Sequence, residues 1–102
     1  MKNLTLIVHA DIQRALADTL RSLEQVAGFT FIQVEGHSLQ DESDTTLSAR
    51  DRVIGYTPHV RVDILLEDED VDDVLQALRA ADCGLLGYGI FQVTAVEKQG
   101  AL

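Results

Sequence analysis

Two strand–helix–strand patterns, separated by a long segment without a regular apolar pattern, limit the folds open to this chain. The first covers residues 3–35 and the second covers residues 58–96. The segment between them, Gly36 to Thr57, is rich in acidic residues, Ser and Thr. A small domain seldom keeps so long a structureless connection unless the connection has a function. Function is therefore expected in residues 36–57 and in whatever faces them.

The spacing of apolar residues predicts four strands and two helices. Alternation predicts strands near 3–9 and 58–66, and three- and four-residue steps predict a helix near 12–26. β-branched and aromatic residues predict a strand at 29–34, and residues 90–96 are the predicted last strand. Asp11 is a candidate N-cap of that helix, and Gly28 lies where a glycine would end it. A second helix, with Val71, Val74, Leu75 and Leu78 on its apolar face, follows an acidic run at 67–70 that complements its dipole.

Two strand–helix–strand units with right-handed crossovers predict an α+β sandwich of the ferredoxin-like βαββαβ type. In this fold a four-stranded antiparallel sheet carries both helices on one face, here within a single domain of residues 1–102. Whichever alternate set of strand residues faces the helices, the other face of the sheet keeps apolar side chains. That face would carry Ile7 and Leu65 in one case, and Leu4, Leu6, Val60 and Val62 in the other. An exposed apolar sheet face is typical of an interface, so we predict a homo-oligomer whose uncovered faces meet.

Composition narrows the classes of partner and the compartment. The 102 residues contain 17 acids against 8 Lys and Arg, for a formal net charge of −9. Such a surface repels nucleic acid and anionic lipid, so nucleic acid is not an expected partner. No apolar run approaches the roughly 20 residues that cross a bilayer, which argues against membrane insertion. Cys83 is the only cysteine, and the cytoplasm is the expected location.

Two segments resemble the PII signalling proteins. Residues 58–75 resemble the third strand and second helix of that superfamily, and residues 84–97 resemble its glycine-rich B-loop and last strand. Residues 36–57 then take the position of the T-loop. The resemblance is closest to a PII-like family of unassigned function, often encoded beside heavy-metal efflux systems. The features that resemble this family are Gly28-Phe29, Gly36-His37-Ser38, the stretch 47–56 and the end at 100–102.

The resemblance implies a regulatory homotrimer with ligand clefts between subunits. It implies that residues 36–57 touch a partner, which we expect to be a membrane transporter or efflux protein. The expected effector is an adenine nucleotide (AMP, ADP or ATP) or a divalent metal ion. The candidate ligand-binding residues are Gly36, His37, Arg50, Arg52, Gly84, Gly87, Tyr88 and Gly89.

The chain also departs from the PII pattern. A standard PII B-loop reads Gly-Asp-Gly-Lys, whereas residues 87–90 read Gly-Tyr-Gly-Ile, and the C-terminal Arg pair that meets the phosphates is absent. The glycine N–H groups at 84, 87 and 89 could still cradle an anion. Because a triphosphate needs several cationic or N–H donors, AMP, ADP or a cyclic nucleotide would need fewer such donors from this site than ATP would.

Each candidate also has a structural interpretation. The glycines at 84–89 could form only a tight turn between helix and strand. Arg50 and Arg52 could bind an anionic ligand or a partner's carboxylates, or could pair with Asp51 and the acids nearby.

His37 could cap a turn or pack at a subunit seam, or it could bind a metal. His9 ends the first strand and His59 begins the third, so an antiparallel pairing would make these two histidines neighbours. A histidine pair with a carboxylate nearby suits zinc, copper or nickel. This is the alternative function, a divalent-metal-binding tolerance protein of the CutA type. The sequence has no nucleophile elbow or Cys-His pattern, so we do not expect an enzyme.

Overall fold

A computed structural model of the protein describes residues 1–37, 57–81 and 89–102. These residues confirm the predicted α+β fold, with two helices and a four-stranded antiparallel sheet. The elements in chain order are β1 (Lys2–His9), α1 (Gln13–Ser22), β2 (Phe29–Gly36), β3 (Thr57–Leu66), α2 (Val71–Ala80) and β4 (Ile90–Ala95). Short 3₁₀ turns at Ala10–Ile12 and Asp68–Asp70 lead into the two helices.

The strand order is β2-β3-β1-β4, and each neighbouring pair is antiparallel. The two central strands carry the most continuous apolar alternation. Leu4, Leu6 and Val8 of β1 lie opposite Ile64, Val62 and Val60 of β3, and all six side chains are buried. The ferredoxin-like order therefore follows from the two strands that have the most apolar surface to bury.

The core lies between the sheet and the two helices. α1 contributes Leu16 and Leu20, and α2 contributes Val71, Val74, Leu75 and Leu78. Burial of a Leu, Ile or Val side chain contributes roughly 1.5–3 kcal/mol relative to exposure. Phe29 and Phe31 pack against this core at the margin, on the face of β2 that looks toward the helices.

The helix α1 is shorter than the apolar spacing predicts, and both of its predicted signals are wrong. Asp11 is not its N-cap, because Asp11 lies in the preceding 3₁₀ turn, where its backbone N–H donates to Nδ1 of His9 at 3.1 Å. Gly28 is not its stop, because the helix ends at Ser22 and Leu23 N–H donates to the Leu20 carbonyl. Leu23 and Val26 still pack on the core, but from the turn that follows the helix, in which the Val26 N–H donates to the Leu23 carbonyl.

The face of the sheet opposite the helices is arranged in rows that cross the strands. Residues directly opposite each other in an antiparallel pair share a face. One row contains Ile90, Ile7, Arg61 and Ile32, and the next contains Gln92, Thr5, Asp63 and Thr30. We call this surface the open face. Of the two predicted sets, Ile7 and Leu65 lie on this face, whereas Leu4, Leu6, Val60 and Val62 are buried on the helix side. Ile32 is 48% exposed and Ile90 is 60% exposed, so the open face also carries large apolar side chains near both edges of the sheet.

Candidate functional site at the histidine end of the sheet

Three histidines lie at one end of the sheet because of the strand directions. β1 ends there at His9, β3 begins there, and β2 ends there at Gly36. His59 lies opposite both His9 of β1 and Val34 of β2 in the sheet register. The rings of His9 and His59 are 6.0 Å apart between centroids, with their planes tilted by 57°. The antiparallel pairing that would make them neighbours is therefore present.

Gly36 is the last residue of β2, and the ring of His59 lies directly against it. A Cβ built on Gly36 would overlap with Nδ1 and Cε1 of His59. The neighbouring strand β3 can therefore place the imidazole of His59 here only because residue 36 has no side chain. The contact therefore joins the end of β2, just before the segment 38–56, to the start of β3, just after it.

The imidazole of His9 is held by the turn that follows β1. Its Nδ1 accepts the backbone N–H of Asp11 at 3.1 Å and lies 3.5 Å from the Asp11 carboxylate. A neutral imidazole that accepts at Nδ1 carries its hydrogen at Nε2. Binding of a metal at Nε2 would therefore require the neutral ring to exchange tautomers, and this would remove its contact with the Asp11 N–H.

His37 directly follows β2 and is exposed. Its Nε2 lies 3.2 Å from the Glu35 carboxylate, also exposed, so the pair contributes little to stability. Within residues 1–37, 57–81 and 89–102, no group of three or more His, Cys, Asp or Glu side chains is placed to hold a metal ion. The histidines thus share one end of the sheet without forming a metal cage inside this part of one protomer.

The predicted binding residues that can be placed fall at opposite edges of the sheet. Gly36 and His37 lie at the end of β2, whereas Gly89 directly precedes β4. Three strand spacings separate these edge strands, which is about 14 Å. Gly89 lines a small apolar cleft with Arg79 and Phe91. Arg50, Arg52, Gly84, Gly87 and Tyr88 lie outside the described residues.

Sequence reasoning did not identify a polar cluster at the centre of the open face. Asp63 Oδ1 accepts from Thr5 Oγ1 at 2.7 Å and from Asn3 Nδ2 at 3.3 Å, and Arg61 Nε lies 3.2 Å from Asp63 Oδ2. Partial burial raises the pKa of Asp63, but these hydrogen bonds and the Arg61 charge outweigh it, so its pKa lies below the usual value. The signal was the alternation of polar residues in β1 and β3. The register that joins them could not be obtained from that alternation.

No helix in the described ranges is both long enough and apolar enough to cross a bilayer.

Comparison with known proteins gives one family match and several relatives. A family model described as a protein of unknown function, DUF3240, matches residues 1–102. A nitrogen regulatory protein P-II of Rhizobium leguminosarum bv. viciae is 30% identical over 94 residues, which cover 89% of this chain and 85% of the relative. A nitrogen regulatory protein P-II of Rhizobium meliloti is 29% identical over 86 residues, covering 81% and 77%.

A more distant relative and a solved structure agree with these matches. Nitrogen regulatory protein P-II 2 of Methanothermobacter thermautotrophicus is 27% identical over 101 residues, which cover 96% of this chain and 85% of the relative. The crystal structure of a DUF3240 family protein from Shewanella baltica OS155 superposes with a TM-score of 0.76 at 22% identity. It covers 99% of this chain and 94% of the other. At that identity the superposition supports the fold.

Proposed function

Because the chain belongs to the DUF3240 family of the PII-like superfamily, we propose that it is a regulatory protein and not an enzyme. In this proposal a small effector binds the chain, and the segment 36–57 passes the signal to a partner protein. The similarity to three proteins named as nitrogen regulators carries the proposal. A ligand shifts such a segment only as far as it binds one conformation better than another.

The effector site is proposed to form between copies of the chain. Gly36 and His37 lie at one edge of the sheet and Gly89 lies at the other, about 14 Å away by strand spacing. Within one protomer, a small effector that contacts residues at both edges would have to reach across all four strands at this end of the sheet. Head-to-tail copies bring the β2 edge of one protomer beside the β4 edge of the next, and such heterologous contacts close into rings. A homotrimer is the ring that we propose.

An adenine nucleotide is the proposed effector. The N–H groups at Gly84, Gly87 and Gly89 would cradle its phosphates, and the side chain of Tyr88 would contribute to the pocket. Arg50 and Arg52, inside the segment 36–57, would supply positive charge. AMP or ADP is favoured over ATP because residues 87–90 contain no lysine. The proposed partner is a cytoplasm-facing part of a membrane transporter or efflux protein.

Isothermal titration calorimetry with ATP, ADP, AMP and cyclic AMP tests this proposal. We expect saturable heat with at least one nucleotide, lost in Gly87→Glu, because a carboxylate would repel the phosphates. Gly100→Glu is the matched control, since Gly100 has nothing within 4 Å of an added Cβ. Silence toward all four nucleotides would reject the nucleotide proposal.

Divalent-metal binding of the CutA type is a second candidate function. The observation that favours it is the 6.0 Å approach of the His9 and His59 rings, with His37 at the same end of the sheet. Since the described part of one protomer has no group of three or more ligands, the coordination would be completed by another copy or by residues beyond those described. Stoichiometric zinc, copper, nickel or cobalt binding without a nucleotide effect would favour this candidate.

A further inference from the structure

An open groove runs between α1 and β2 on the helix side of the sheet, from Ala10 and Asp11 beside the histidine end along the length of the helix to Arg21. Its volume is about 660 Å³, and its lining includes Arg14 and Arg21 from α1 and Phe29 and Phe31 from β2. We infer that this groove is a docking site for an extended acidic peptide segment of a partner protein. The groove involves neither the segment 36–57 nor the glycines at 84–89, so this inference goes beyond the proposed effector site.

Charge is the first observation behind the inference. The chain has a formal net charge of −9, yet two of its eight Lys and Arg residues line this groove. Arg14 is exposed and makes no ion pair with any residue in 1–37, 57–81 or 89–102. Arg21 lies 3.4 Å from the Asp18 carboxylate, and both side chains are about two-thirds exposed. An exposed pair of this kind contributes little, so Arg21 can exchange Asp18 for an incoming carboxylate.

Asp11 is the acidic residue of the lining, and it lies at one end of the groove. Its carboxylate is 3.5 Å from Nδ1 of His9. The carboxylate of Asp11 thus lies beside His9, and Arg14 and Arg21 supply positive charge along the rest of the groove.

The floor of the groove is aromatic. The rings of Phe29 and Phe31 pack edge to face with centroids 5.6 Å apart, and both side chains are only partly buried. The guanidinium of Arg21 lies 5.9 Å from the centroid of Phe29. An apolar side chain laid on these rings would lose water contact while a carboxylate beside it reached an arginine. The ligand should therefore combine an apolar residue with flanking acids.

Shape favours a peptide over a compact molecule. Arg14 and Arg21 are seven residues apart on α1, which places their Cα atoms about 10.5 Å apart along the helix. In an extended chain, residues i and i+4 point the same way and are about 13 Å apart, within reach of two long arginine side chains. The expected pattern is an acid, an apolar residue and an acid at alternate positions.

NMR titration of the full-length isotope-labelled protein with the peptide GESLSEG tests the inference. We expect saturable shift changes centred on Arg14, Arg21, Phe29 and Phe31. We expect at least a tenfold weakening in R14E and in R21E, and at least a tenfold weaker response to the charge-reversed peptide GKSLSKG. R79E is the matched control, because Arg79 lies 5.7 Å from the centroid of Phe91 in a similar contact elsewhere on the fold. Its affinity should equal that of the wild type.

Four results would overturn the assignment. Absence of shifts in the groove, or equal binding by R14E and wild type, would reject it. Inorganic phosphate or free glutamate acting as strongly as the peptide would make this a small-anion site instead. If D41N, E42Q and D44N together move the same groove signals without any peptide, the occupant is the chain's own acidic segment. Peptide binding that survives in Gly87→Glu would separate this site from the proposed effector site.

Discussion

The ring of His59 occupies the position that a side chain at residue 36 would need. Gly36 ends β2 and His59 lies near the start of β3, so this contact ties together the two strands that flank the segment 38–56. The segment therefore leaves and returns at a point where the backbone is closely packed. A change in the position of the His59 ring would therefore alter the packing at Gly36, next to the start of the segment.

Gly36→Ala is expected to destabilise the protein by about 1–3 kcal/mol, the usual cost of adding a methyl group to a packed site. The added Cβ would overlap with the His59 ring and displace it from His9. Urea unfolding of the two proteins measures the change. In a His59→Ala background the same Gly36→Ala substitution should cost much less, because the ring that it overlaps with is gone. Gly28→Ala is the control, because nothing lies within 4 Å of a Cβ there; an equal cost at both glycines would contradict the explanation.

Asp63→Asn is expected to lower stability near pH 7 by about 1 kcal/mol, the net value of a typical hydrogen bond. The folded-state pKa of Asp63 is below its ordinary value, because hydrogen bonds from Thr5 and Asn3 and the charge of Arg61 outweigh its partial burial. Its stabilisation is therefore fully present above the unfolded-state pKa of about 3.9 and is lost as pH falls through the lower folded pKa. The difference between wild type and variant should shrink below about pH 4.

Urea unfolding between pH 3 and pH 7 measures this effect. Glu24→Gln removes an exposed carboxylate away from the cluster and should show no comparable pH dependence. A wild-type advantage over Asp63→Asn that grows on acidification would have the wrong sign for this mechanism.

The sequence predicted the four strands and the antiparallel sheet, because apolar residues alternate in β1 and β3, but it left open which alternate set faces the helices. It did not predict the contacts that depend on register. Thr5 and Asp63 are 58 positions apart, and only the pairing of β1 with β3 brings them together. The His59 contact with Gly36 has the same origin, since it forms across the β2–β3 pair. The end of α1 was missed because Leu23 and Val26 keep the helical spacing of apolar residues after the helix has ended.

The open face should be an interface, and Ile32→Glu and Ile90→Glu should weaken the proposed homotrimer. Both side chains are large, apolar and about half exposed in the protomer, so a charge there costs little within one copy but would be buried between copies. We expect at least a tenfold rise in the dissociation constant, measured by analytical ultracentrifugation. Gln76→Glu, on the exposed surface of α2, is the control. An unchanged mass for both isoleucine variants across the concentration range would exclude this face.

Metal binding at the histidine end, if it occurs, should depend on His37 and on pH. Zinc titration followed by calorimetry should give stoichiometric binding that is weakened at least tenfold in His37→Ala, since a lost imidazole ligand is not replaced by alanine. Affinity should fall on acidification, because protons compete with the metal for imidazole nitrogen. His9→Gln should also weaken binding if the His9 and His59 pair supplies a ligand, whereas Glu24→Gln should not. Full zinc affinity in His37→Ala would rule out His37 as a ligand, and zinc binding that is independent of pH between 5.5 and 7.5 would exclude a histidine site.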